Sequence, residues 1–424
     1  MKGIRLKNWK IYPSQLKGKL TVPSSKSQSI RALLFATLAK GKSVLTDLLP
    51  CPDMIHTCRL LGADIQERES VEVNGLGGKI DGAKDIINAG NSGLILRLVG
   101  AIAALSSKPI IITGDRSIRE SRPIIPLIEG LNQLGGLAFS ILKNGQPPIF
   151  IQGPIRSGYV RVDGEDSQPI SGLLIAGALA PGPVKIFVNN PGEIPWIELT
   201  RHWLEKFGIS SMAYQGSYYE ISGNALIEGF SYKVPGDFSS LAFPLVAAIL
   251  TNSEVYFDNL DFDDLQPDKQ LITILQQMGA KIELEEKGLC VKKGGKLHGM
   301  QINVNGCIDT LPILAVLGCL AEGETELVGG RIARKKESNR ITAMATELRK
   351  MGGRIEEQEE GLLIHQSSLR GGIVESYSDH RIALSLAVAG LAAKGKTVVK
   401  NIGCVVKTFP NFQHQMLSLG ADIQ

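Results

Sequence analysis

The sequence lacks any pairing pattern among its six cysteines. Cys51, Cys58, Cys290, Cys307, Cys319 and Cys404 are scattered, with no CxxC. That argues against a zinc site or a disulfide framework and for thiols in a reducing compartment. It lacks an excess of one charge: 46 basic against 42 acidic residues leave a net +4. No nucleic acid or membrane is expected as a partner on that balance. It lacks a long apolar run, since residues 241–250 are too few to span a bilayer and include Pro244. Residues 1–7 carry charge but no apolar core of a leader, so no signal peptide is expected. Aromatic residues make up only 5%, and no patch of them offers a stacking platform for RNA. The six histidines are dispersed, so His380 reads as structural and neither a metal nor another cofactor is expected. A soluble, cytoplasmic protein is the expectation.

What is present is length and repetition. A chain of 424 residues with 43% hydrophobic content has room for two or more domains with substantial cores. A helical pattern ending in an apolar residue, then glycine, then a short strand recurs at Gly62, Gly135, Gly208, Gly279, Gly352 and Gly420. Glycine stands where a helix terminator needs a left-handed backbone. The copies lie about 70 residues apart, longer than solenoid repeats and suited to a βαβαββ unit. Each unit also has an earlier, more apolar helix with a polar start. These starts are Ser27, Asn91-Ser92, Asp166-Ser167, Asp237-Phe238-Ser239, Asp309-Thr310 and Ser378-Asp379. Helices apolar on most faces are buried, so their polar starts should gather at a common end, where helix dipoles act on an anion. Six units suggest two domains of three, with a cleft between them.

The stretch Pro23-Ser24-Ser25-Lys26-Ser27-Gln28-Ser29-Ile30-Arg31 turns from a strand into the first such helix. Ser27 and Arg31 are four apart and share a helix face. Lysine, hydroxyl and guanidinium together suit a carboxylate or phosphate, although a capped helix with a solvated basic edge has the same pattern. Gly90-Asn91-Ser92-Gly93 precedes the second helix, where Gly93 allows close approach of a ligand to the backbone. Arg116, Arg119 and Arg122 fall in an expected loop, with Arg122, fixed before Pro123, the better ligand. Asp166, Ser167 and Gln168 open the third helix, as caps or as site groups. Asp309 stands ahead of an almost wholly apolar helix. In Lys336-Glu337-Ser338-Asn339-Arg340, a helix that began early enough would put Glu337 on the stripe of Ile341, Met344, Ala345 and Leu348 and aim it into a site. Arg381 and Lys407 supply further cations.

In order along the chain, SKSQSIRALL, GNSG, SRPI, DSQ, GDFSS, IDTLPILAV with AEGET, KKESNR, SDHR and KTFP resemble the enolpyruvyl transferases, and among them the EPSP synthase family. The resemblance spans essentially the whole chain. It implies an α/β (α+β) fold of two domains, each of three βαβαββ units in an inside-out α/β barrel, with the active site in the interdomain cleft. The domains are expected as residues 1–22 with 237–424, and 23–236. It implies a monomer that moves the carboxyvinyl group of phosphoenolpyruvate to the 5-hydroxyl of shikimate 3-phosphate, in chorismate and aromatic amino acid biosynthesis. By match, Lys26, Gly93, Arg122, Gln168, Arg340, Arg381 and Lys407 hold phosphoenolpyruvate. Ser27, Arg31, Ser167, Gln168, Asp309 and Lys336 hold the shikimate side. Asn91 and Asp166 are further substrate-binding candidates. Lys26, Asp309 and Glu337 are the catalytic candidates.

The chain departs from the family at Ser25, Leu94, Asp166 and Glu193. The last two replace serines that help hold the acceptor phosphate, and a carboxylate there repels phosphate unless turned away or paired. A transferase acting on UDP-N-acetylglucosamine is the nearest rival, but Lys26-Ser27 and the absence of cysteine between Cys58 and Cys290 speak against it. A non-catalytic anion-binding relative is opposed by the joint presence of Lys26, Asp309, Glu337 and Arg381.

Overall fold

The protein is described by a computed structural model over residues 7–80 and 82–424. Residues 1–6, on which the expectation of no leader mainly rests, and Asp81 lie outside the described residues. The chain divides into two compact units. One ends its first segment at Ser25 and resumes over Pro235–Gln424; the other is Lys26–Val234. The sequence reading sets these edges at 22/23 and 236/237.

Six four-stranded sheets are present among the described residues; three are each made by one βαβαββ repeat, and three take one strand from a distant part of the chain, Trp9–Tyr12 among them. The third repeat shows the plan. Strand Gly158–Asp163 runs parallel to Val184–Asn189, which pairs antiparallel with Tyr218–Ile221, itself paired with Ser211–Tyr214. A parallel pair needs a crossover, here the inner helix Ser167–Leu179. An outer helix, Ile194–Lys206, leads into the antiparallel hairpin. Two strands are exchanged between the ends of the units' sequences. Lys17–Thr21 pairs with Glu254–Asp258, and Ser231–Lys233 pairs with Lys40–Thr46. Each therefore belongs to a sheet other than the one its following helix serves.

The inner helices are Lys26–Leu38, Gly93–Ala103, Ser167–Leu179, Phe238–Leu250, Leu311–Leu320 and His380–Ala392. They are buried on nearly every face, as their mostly apolar sequences require. Each large aliphatic side chain so buried contributes about 1.5–3 kcal/mol, and each unit has one continuous core. The six repeat glycines after the outer helices all have positive φ, from +72° at Gly208 to +112° at Gly62, which is the terminator role read from the sequence.

Two local expectations are overturned. Arg116–Ser121 is a short helix capped by Asp115, not a loop. The helix after Lys336 begins only at Arg340, because Asn339 caps it through the Thr342 amide; Glu337 therefore lies off the helical stripe. Asp309 does stand ahead of its apolar helix, in a 3₁₀ turn, Asn305–Thr310, that leads into Leu311–Leu320. Among the described residues no helix is long and apolar enough to cross a membrane.

Candidate active site

In the unit containing Pro235–Gln424, the polar helix starts meet around two arginines. Arg340 is fully buried and serves three carboxylates: Asp309 at 2.6 Å, Glu337 at 2.7 Å and Asp379 at 2.9 Å. A planar guanidinium has the donors for this, where a lysine ammonium lacks the fork geometry. Arg381 lies 2.8 Å from the second oxygen of Asp309 and donates to Ser239 Oγ at 2.9 Å. Ser239 donates in turn to Asp237, the cap of Phe238–Leu250, at 2.6 Å. The starts of the fourth, fifth and sixth inner helices are thus tied through Arg381.

Asp379 holds its place with both oxygens. One accepts from the Arg381 amide at 2.9 Å, capping the sixth helix, and the other takes Arg340 Nε and the Ser338 hydroxyl. For Asp309, burial pushes the carboxyl up, but Arg381, Arg340 and Lys336 outweigh it and hold the group well below the usual range. Burial disfavours the charge on Arg340, yet Asp379, Glu337 and Asp309 raise its pKa well above the ordinary value. Both groups are therefore ionised. Lys407 ends the 3₁₀ turn Ile402–Lys407.

In the unit Lys26–Val234 there are two groups. Lys26 opens the first inner helix. Arg31 donates to Ser27 Oγ at 2.5 Å and to Thr200 Oγ1 at 2.9 Å. Gln28 accepts from Trp203 Nε1 at 2.7 Å, and Trp203 stacks on Phe35. The outer helix Ile194–Lys206 thereby fixes the orientation of Arg31.

The second group surrounds Gly93. A Cβ there would lie 3.0 Å from Arg97 Nη1 and 3.4 Å from both Arg122 Nη1 and Gln168 Oε1. Glycine thus lets two guanidiniums and an amide approach the backbone closely. Asn91 is turned to Asp115. Asp166 caps the third inner helix through the Gln168 amide at 3.1 Å and forms a 3.0 Å ion pair with Arg97. Glu193, 2% exposed and at φ +48°, accepts from both the amide and the hydroxyl of Ser167 at 3.2 Å.

The sequence reading misses Arg97 and Thr200 as parts of these groups and has Ser239 only as a helix start. The available signal for Arg97 was a lone charge four residues after Gly93 inside an apolar helix.

A family model described as EPSP synthase (3-phosphoshikimate 1-carboxyvinyltransferase) matches residues 11–416. A 3-phosphoshikimate 1-carboxyvinyltransferase of Acetivibrio thermocellus is 41% identical over 418 residues, covering 98% of each chain. One from Chlamydia caviae is 42% identical over 424 residues, covering 98% of this chain and 94% of the relative. In three dimensions the chain is similar to an EPSP synthase of Acinetobacter baumannii, with a TM-score of 0.82 at 28% identity over 98% of this chain and 99% of that one.

Proposed function

We infer the reaction from a plain premise: the chain belongs to the EPSP synthase family. It transfers the carboxyvinyl (enolpyruvyl) group of phosphoenolpyruvate to the 5-hydroxyl of shikimate 3-phosphate. The products are 5-enolpyruvylshikimate 3-phosphate and phosphate, in aromatic amino acid biosynthesis.

The observation that carries a mechanism is the Asp309 carboxylate, gripped by Arg381 and Arg340 at the start of an apolar helix. In our proposal Arg340 and Arg381, with Lys26, Arg122, Gln168 and Lys407, turn to phosphoenolpyruvate, while Ser27, Arg31, Ser167 and Lys336 hold the acceptor. Two anionic substrates repel each other, and this number of cations offsets that repulsion. A carboxyl held well below its usual range is a weak base. Drawing the guanidiniums onto substrate carboxylate raises the basicity of Asp309 when the acceptor hydroxyl needs to lose its proton.

The hydroxyl oxygen then bonds to C2 of phosphoenolpyruvate as C3 gains a proton and becomes a methyl group. The tetrahedral ketal so formed expels phosphate through C–O cleavage, and the methyl group returns a proton to restore the vinyl group. Glu337 and Lys26 are our candidates for the proton transfers at carbon and for assisting phosphate departure. Phosphate release on mixing both substrates, and its loss when either is omitted, tests the reading. We also read the chain as a cytoplasmic monomer; light scattering and cell fractionation check those two points.

A further inference from the structure

The turn leading into the sixth inner helix is strained and is clamped by carboxylates outside the Arg340 cluster. Tyr377 and Ser378 have φ of +54° and +55°, consecutive left-handed positions unfavourable for residues with a Cβ and more so for a bulky one. Capping does not require this approach. Asp166 and Asp237 cap their helices with backbone angles like those of Asp379, with no positive-φ residue immediately before them.

The clamp centres on Glu347, a fully buried residue of Arg340–Lys350. Its carboxylate accepts from the Tyr377 hydroxyl at 2.6 Å, the Glu375 amide at 3.0 Å and Lys350 Nζ at 2.8 Å. Glu375 accepts from the amides of Ser376 at 3.1 Å and Tyr377 at 3.3 Å, and from the Asn401 side chain at 2.7 Å. Asn401, itself at φ +61°, begins the turn that ends at Lys407. Two segments bearing site residues, 376–381 and 401–407, are thereby tied to the helix that carries Arg340.

We propose that Tyr377 and Glu347 are positioning residues for enolpyruvyl transfer: their bond holds the strained turn so that Asp379 meets Arg340 Nε, which aims Arg340 at Asp309 and Glu337. The inference rests on the reading of the reaction given above. Burial and the Glu347 bond push the Tyr377 hydroxyl up to about 12, so it remains a donor throughout the working range. Loss of that donor lets the turn relax and shifts Asp379. Arg340 then loses the partner that sets its plane, while the other substrate-binding cations remain.

The test is steady-state kinetics of wild type, Tyr377→Phe and Glu347→Gln with each substrate varied, beside thermal unfolding. Displaced catalytic groups are expected to lower kcat on the order of ten-fold or more, with the KM for shikimate 3-phosphate little changed and the KM for phosphoenolpyruvate raised only alongside that loss, since Arg340 also serves that substrate. Tyr377→Phe should lower Tm together with kcat, since buried Glu347 loses a donor and the buried Asp379–Arg340 pair is disturbed. A lower Tm with kcat intact, or raised KM values with kcat intact, overturns the proposal. The Arg340 Nε–H resonance gives a readout without substrate. It should shift in Tyr377→Phe, and an unmoved resonance also overturns the proposal. Wild type that fails to turn over shikimate 3-phosphate defeats the reaction reading instead, leaving the resonance to decide on the turn.

Discussion

Arg97 Nε and Asp166 Oδ2 lie 3.0 Å apart, and the pair joins the interior of the second inner helix to the cap of the third. Arg97 is 2% exposed and also donates to the carbonyl of Pro123 at 2.9 Å. The acid at 166 thus has a cation to answer it, rather than standing as an unanswered charge in an anion pocket. Its other oxygen is used by the helix cap.

Asp166→Ser should therefore cost more than a lost cap. Removing a cap costs about 1 kcal/mol, and serine retains some capping ability. Taking the acid from Arg97 also weakens the answer to a buried charge, and after allowing for the part-exposed aspartate the total should be about 2–3 kcal/mol. Denaturant unfolding of Asp166→Ser, Arg97→Met and the double variant measures it. Additive losses would mean that the two residues do not couple.

Glu193 makes a different prediction. Its carboxylate takes the amide and hydroxyl of Ser167, the donors that we propose serve the acceptor. A phosphate using them must displace a buried carboxylate. Glu193→Ser should lower the acceptor KM roughly ten-fold, the equivalent of about 1.4 kcal/mol and within reach of one charged hydrogen bond. The KM for phosphoenolpyruvate should stay put. An unchanged acceptor KM would mean that the phosphate is held away from Ser167.

Much of the fold was legible because the repeat writes itself in residue types with strong local meaning. Glycine after each outer helix and apolar residues around each inner helix are physical requirements, visible without neighbours. The exchange of Lys17–Thr21 and Ser231–Lys233 between sheets was not stated by that pattern, since alternation marks a strand but not its partner. Glu337 was noticed for the wrong reason: it reaches Arg340 from outside the helix, once Asn339 fixes the helix start. Arg97 was passed over because its partner lies 69 positions away in sequence, from 97 to 166. The second oxygen of Asp379 is a similar case. The cap is a local signal, whereas its bond to Arg340 depends on how helices pack.

Asp309→Asn should abolish most turnover while sparing binding. Asparagine keeps the shape and one carbonyl acceptor, enough for one of the two arginines, turns an NH2 donor to the other, and cannot take the hydroxyl proton. Loss of a general base lowers kcat by about 10²–10⁴-fold. Calorimetric titration should still detect both substrates with affinities near those of wild type. Binding lost in step with activity would make Asp309 a support for Arg340 and Arg381 rather than the base.

The same carboxyl also sets a pH dependence of stability. Burial opposes the charge of Asp309, but Arg381, Arg340 and Lys336 prevail, so its folded pKa lies below the ordinary 3.8. A group depressed in this way binds its proton more readily unfolded than folded. Its contribution is fully present above the unfolded value and is lost as pH falls through the folded one. Arg340, raised above its ordinary value, stays charged over this range and adds no slope of its own. The unfolding free energy of wild type should therefore exceed that of Asp309→Asn by a constant amount from neutral pH down to about pH 5, and the gap should close in the acid range below the ordinary carboxyl pKa. Urea titrations of both proteins across that range measure the gap directly. A gap that opens on acidification, or that closes between pH 5 and neutrality, would require a raised carboxyl pKa and would contradict the hold of the two arginines on Asp309.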